Sequence, residues 1–108
     1  MALTEACYRL TRGFPKDEIF GLTSQIRRSA ASVPANIAEG HGRENTKSFI
    51  QFLRIAQGSV KELETHLLIA ERTGIAAKAD VNLLMLKCEG LGKMLRALIR
   101  SLQNRSAE

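Results

Sequence analysis

The sequence has no tryptophan, one tyrosine and only four phenylalanines, too few rings for the stacking platforms on which single-strand binders lay successive bases. It has two cysteines, Cys7 and Cys88, far apart and without a second Cys or a His at ligand spacing, which excludes a zinc site of the usual pattern. No other metal set and no cofactor motif is expected. No apolar leader follows Met1, so both thiols read as reduced, small apolar residues of a cytoplasmic protein, although one disulfide is formally possible. The longest apolar runs, such as Leu83-Leu84-Met85-Leu86, fall far below the roughly 20 residues that span a bilayer, so no membrane is expected as a partner. Alternating strand patterns are nearly absent as well, because apolar residues recur at three and four positions rather than at two.

What is present is one core's worth of apolar residues in helical register. The chain has 108 residues, 44% of them hydrophobic, enough for a single domain over 1–108 and too little for a two-domain enzyme. The last segment is the clearest: Leu84, Cys88, Leu91, Leu95, Leu98 and Leu102 step by four and three as an a/d seam, with Asp80 as the expected N-cap and Gly90 and Gly92 as weak points. A third helix from about Thr46 carries Phe49, Phe52, Leu53, Ala56, Val60, Leu63, Leu67 and Ala70 on one face, and Gly74 ends it. The second begins after Phe14-Pro15, where Asp17 and Glu18 suit the positive end of a helix dipole, and buries Leu22, Ile26, Ala30, Val33 and Ile37. Pro34 falls inside it and predicts a kink near Ala30 to Val33. Leu3, Cys7 and Leu10 give a short first helix that needs tertiary support. Four helices and short loops predict an all-α, up-down-up-down four-helix bundle, with Asn104 to Glu108 as a frayed tail.

The net charge is +5, from 16 basic and 11 acidic residues, with a pI near 9.7, which favours an anionic partner without identifying one. Most of the excess lies at the C-terminal end. Lys93, Arg96 and Arg100 share one helix face, Arg105 follows, and no acid occurs between Gly90 and Ser106. On a single copy such a stripe serves equally to solvate the face opposite the seam. Repeated around a symmetry axis, it would build a field suited to phosphates.

The second helix shows a polar stripe, Gln25, Arg28, Ser32, Asn36 and Glu39, with Arg43 four residues on. Many such stripes are ordinary solvated faces. Here the small Ser29, Ala31 and Ala35 flank it and would let another helix approach closely, so a subunit interface is expected. The turn Glu39-Gly40-His41-Gly42-Arg43-Glu44 is the one place where acid, base and imidazole crowd together. A helix end explains its glycines, and His41 has no relay partner, so no catalysis is expected there. His66, beside Leu63 and Leu67, reads as a hydrogen-bonded boundary residue. Glu62 and Glu64 point to different faces and make no catalytic pair; Lys61 and Glu64 can form a local ion pair.

Three runs carry a resemblance: Phe14-Pro15-Lys16-Asp17-Glu18, Gly21 through Ala30, and Val33-Pro34-Ala35-Asn36-Ile37-Ala38-Glu39-Gly40. With Phe52-Leu53, Ile55-Ala56, Gly58-Ser59, Glu62-Leu63-Glu64-Thr65 and Leu67-Leu68, they make Tyr8 to Ile75 closely resemble the bacterial 23S ribosomal RNA intervening-sequence proteins. The last helix matches in character only, and the family's usual longer first helix with a tryptophan is a departure. The resemblance implies a left-handed four-helix bundle, a homopentameric ring with a central channel, and kinship with the accessory protein of diversity-generating retroelements, which binds nucleic acid and a reverse transcriptase. It implies no catalytic residues. The combined expectation is a non-catalytic ring that binds RNA or DNA through phosphates without sequence specificity, using Arg27, Arg28, Arg43, Lys93, Arg96 and Arg100. Gln25, Ser32, Asn36 and Glu39 would lie at its subunit interface. The alternative is an oligomeric adaptor for a polymerase or a ribosome-associated protein.

Overall fold

The computed structural model describes residues 1–107, with side chains to Arg105. It contains α1 (Ala2–Thr11), a 3-10 turn (Lys16–Glu18), α2 (Leu22–His41), α3 (Thr46–Arg72) and α4 (Lys78–Ala107), and no strand among the described residues. Consecutive helices pack side by side and α1 closes against α4, leaving α2 and α4 diagonal. This is the expected up-down-up-down bundle, 51 Å long and about 20 Å across. Among the described residues no helix is long and apolar enough to cross a membrane.

The core follows the apolar periodicity. Ile26 and Val33 of α2, Leu53, Leu63 and Leu67 of α3, and Val81, Cys88 and Leu95 of α4 are fully enclosed, with Cys7 contributed by α1. The a/d seam of α4 broadens at its far end, where Ile99 is buried and Leu91 and Leu98 are only half-buried. Phe49, Phe52, Leu10 and Ile37 likewise lie half-buried at the edge of the core. Every buried side-chain nitrogen or oxygen among the described residues has a partner.

Helix boundaries depart from the sequence expectation at four places. The chain after Pro15 forms the 3-10 turn instead of the start of α2, and Gly21 becomes the N-cap. Glu18 still serves that end from outside, its Oε1 accepting from the Leu22 N–H at 3.2 Å. Gly74 lies one residue beyond the α3 C-cap Thr73, in the left-handed conformation at φ +77°. There the Gly74 and Ile75 amides donate to the Glu71 and Ala70 carbonyls at 3.1 and 2.9 Å, the paired bonds of a Schellman turn. That turn tucks Ala76 into the core, so the Ala77 carbonyl accepts the first bond of α4, from the Val81 amide at 3.1 Å. Asp80 therefore stands in the first turn rather than at the cap. Finally, the expected frayed tail is helical through Ala107, and Glu108 lies outside the described residues.

α2 runs through Pro34 as one helix. A proline there cannot donate to the carbonyl four residues back, which leaves Ala30 O without its helical partner. Thr4 of α1 fills the vacancy: its Oγ1 donates to Ala30 O at 3.0 Å. The short first helix is thus fastened to the interruption in the second. Replacing the hydroxyl by a methyl in Thr4→Val is expected to destabilise by about 1–2 kcal/mol, because the shape stays and a part-buried carbonyl is orphaned. Urea unfolding should show a lower midpoint at unchanged slope, with Thr4→Ser near the parent.

Candidate nucleic-acid interface

The six bases expected at an anion-binding surface fall into three environments. Arg27 is half-buried: its Nε donates to Thr11 Oγ1 at 2.8 Å, and its guanidinium lies over the Tyr8 ring at 4.8 Å. The Thr11 hydroxyl in turn donates to Cys7 O at 2.9 Å. This arginine joins α1 to α2 through its Nε and its guanidinium face, and its Nη groups make no hydrogen bond or ion pair among the described residues. Arg28 bonds to Gln25 on its own helix and pairs with Glu62 of α3 at 3.1 Å. Arg43 pairs with Glu39 at 2.7 Å and covers the Phe52 ring at 5.1 Å. Both pairs are well exposed, so they are worth at most about 1 kcal/mol each and can open to another anion.

The α4 bases differ. Lys93 pairs with Glu89 one turn back at 3.4 Å, whereas Arg96 and Arg100 are exposed and have no ion pair among the described residues. Arg96 also lines a groove of about 430 Å³ between α3 and α4, together with Arg54, Gln57, Lys61, Glu64 and Glu89. The buried Val60 and Cys88 form its floor. Lys61 pairs with Glu64 across one turn at 3.2 Å, as its spacing predicts, and Glu89 is held by Lys93. Both acids are therefore matched, and the Arg54 and Arg96 guanidiniums remain. Arg54 and Lys61 are the site residues that attention to α4 alone misses. Their signal was present in the sequence, since Arg54, Gly58 and Lys61 step by four and three on one face of α3.

The polar stripe of α2 proves to be partly internal. Ser32 Oγ meets Ser59 Oγ of α3 at 2.7 Å, and Asn36 Nδ2 donates to Ser32 O and Oγ at 2.8 and 3.0 Å. The buried Ser29 donates to Gln25 O at 2.8 Å. The small residues and polar pairs expected between subunits thus also operate between α2 and α3 of one chain. Gln25, Asn36 and Glu39 retain exposed or half-exposed surface. At the turn, His41 packs edge-on against Phe49, ring centroids 5.8 Å apart, and His66 lies 3.4 Å from Glu62. Among the described residues no three metal-ligating side chains come together.

α4 also exposes an apolar stripe that the seam pattern does not announce. Leu83, Leu86 and Met94 are 62%, 65% and 50% exposed, with Gly90 between them at helical steps of three and four. In the α1–α2 connection Ile19 and Phe20 also stand out, Phe20 at 94% exposure.

Known proteins share this architecture. A crystal structure of a protein of unknown function from the S23 ribosomal protein family of Bacteroides thetaiotaomicron superposes with a TM-score of 0.76, at 22% identity, covering 90% of this chain and 97% of that one. No curated protein sequence matches the chain. The 23S rRNA-intervening sequence protein model matches residues 1–97, reaching well past the Tyr8–Ile75 blocks into α4, and on that match the chain belongs to the 23S rRNA-intervening sequence protein family.

Proposed function

We propose that this protein is a non-catalytic, oligomeric nucleic-acid-binding bundle that holds RNA or DNA through its phosphates, without reading sequence. The observation that carries the reading is the unopposed charge of α4, where Arg96 and Arg100 are exposed and unpaired among the described residues and no acid follows Gly90 before Ser106. Phosphates are the partners such guanidiniums suit, and contacts of this kind carry no base information. Assembly strengthens the effect. The exposed Leu83, Leu86 and Met94 stripe is of the kind that another copy of the chain covers, and a homopentamer, the assembly its family resemblance implies, would bring together the basic faces of five chains. The family's kinship with a retroelement accessory protein supports the same reading.

Salt titration of binding to labelled RNA and DNA of unrelated sequence is the test. With three phosphate contacts from Lys93, Arg96 and Arg100, the log–log salt slope on single strands should be about −2, an affinity loss of about twentyfold between 50 and 200 mM salt. Affinity indifferent to ionic strength would overturn the electrostatic mechanism. A second reading, an adaptor for a polymerase or ribosome-associated protein, is favoured by the exposed Ile19 and Phe20. Under that reading a captured partner survives nuclease treatment; under the first it is released.

A further inference from the structure

Four glycines stand inside α2, α3 and α4, at positions 40, 58, 90 and 92, where each weakens its helix relative to alanine. Packing explains only the first. A Cβ on Gly40 would lie 2.7 Å from Phe52 Cβ, so α2 and α3 approach too closely there for any side chain. A Cβ on Gly58 or Gly90 would meet nothing within 4 Å, and one on Gly92 only the Arg96 guanidinium at 3.5 Å. Nothing inside the chain requires these three to be glycine. Gly58 and Gly92, from opposite walls, both line the α3–α4 groove, and side chains at either would narrow it.

The groove combines this missing bulk with charge. Of its five charged side chains, Lys61 and Glu64 neutralise each other, Glu89 is paired with Lys93, and Arg54 and Arg96 are left without an ion pair among the described residues. Gln57 adds an uncharged amide, and the Val60 and Cys88 floor is apolar. At about 430 Å³, the space falls within the ~300–1,000 Å³ of small-ligand clefts.

We propose that the groove between α3 and α4 seats a phosphodiester of a bound nucleic-acid strand, with Arg54 and Arg96 as the donors to its oxygens and Gly58 and Gly92 as the gap that admits it. The inference rests on the proposed nucleic-acid binding and assigns it a defined subsite: the phosphate enters between two helices instead of resting on the outer face of one. Guanidinium forks suit this, since each can give two parallel hydrogen bonds to one phosphate. The neighbouring sugar or base would lie over the apolar floor.

Fluorescence anisotropy with a labelled oligo(U) RNA tests it, using two kinds of variant of the full chain. Gly58→Leu fills the groove without changing charge, and it should fold, because its Cβ enters open space and leucine is the better helix former. It should weaken binding about tenfold, the loss expected when a charge-assisted bond is blocked. Arg54→Ala/Arg96→Ala should weaken binding and flatten the salt slope by about 0.7, the worth of the one phosphate they share. Lys16→Ala/Arg72→Ala, which removes the same charge elsewhere, should change the slope much less. If the parent protein binds RNA and both groove variants bind as it does, the subsite is wrong and the broader reading stands. If the parent binds no RNA, the broader reading falls and takes the subsite with it. A changed mass of Gly58→Leu in light scattering would assign the glycine face to contact between copies and overturn the subsite.

Discussion

Raising the pH from 9 to 11 is expected to remove about 4 kcal/mol of folding stability through two thiols alone. Cys7 and Cys88 are fully buried and free. Burial pushes the Cys7 thiol up to about 11 from the ordinary 9.0. It pushes Cys88 up to about 12, helped by the neighbouring Cys7 and Glu64 and opposed by Lys61. Below pH 9 both states keep these protons and the native state bears no penalty. Above it the unfolded chain ionises while the native protein does not, so stability falls by about 1.4 kcal/mol per thiol per pH unit. The decline ends near pH 11 for Cys7 and near pH 12 for Cys88.

A loss of that size approaches the lower end of the whole stability of small domains, about 5–15 kcal/mol, so the urea midpoint should fall sharply over this range. Urea titrations across this range, on the parent and on Cys7→Ala/Cys88→Ala, isolate the thiols, because the two proteins share every other ionisable group. The double variant starts less stable, having lost two core sulfurs, but its stability should fall much less steeply with pH. Equal slopes would mean that the thiols are not sealed from water.

The reading of these cysteines as small apolar residues illustrates what was legible in the chain. Burial of Leu53, Leu63 and Leu67 follows from three-and-four spacing, because a helix in water has one stable way to hide such a face. The pairing Lys61–Glu64 and the placement of His66 follow from the same geometry. Boundaries were less legible, since they depend on competition among local bonds. Asp80 is a good cap by residue type, but the Schellman turn at Gly74 determined where α4 could begin. The bond from Thr4 to Ala30 O was not legible at all: Pro34 announces that a carbonyl is freed, and only the packing of α1 says what satisfies it. The candidate site divided in the same way. Arg96 and Arg100 were found from one helix, whereas Arg54 and Lys61 join them only when α3 and α4 are set side by side. The ties of Arg27 to Thr11 and Tyr8 were not legible either, because a charged residue type does not reveal what its long side chain will reach.

Gly40→Ala is expected to be the most damaging single-methyl addition in the chain, although alanine is the stronger helix former. The new Cβ would lie 2.7 Å from Phe52 Cβ, 3.0 Å from Phe49 Cδ1 and 3.3 Å from Phe49 O. The Phe49 ring can swing away, but Phe52 Cβ and the Phe49 carbonyl are fixed to the α3 backbone, so relief requires α2 and α3 to separate. Separation would lengthen the 2.7 Å contact between Ser32 and Ser59 further along the same pair of helices. Overpacking of this kind costs about 1–3 kcal/mol, and the backbone partners place Gly40→Ala at the upper end. The helix-propensity gain of up to about 1 kcal/mol offsets part of it. Thermal unfolding should show a drop of many degrees. Adding Phe49→Ala should fail to restore it, since trimming that ring leaves the Phe52 Cβ contact in place. Full recovery in the double variant would show that the ring, and not the spacing of the two backbones, is what requires glycine at position 40.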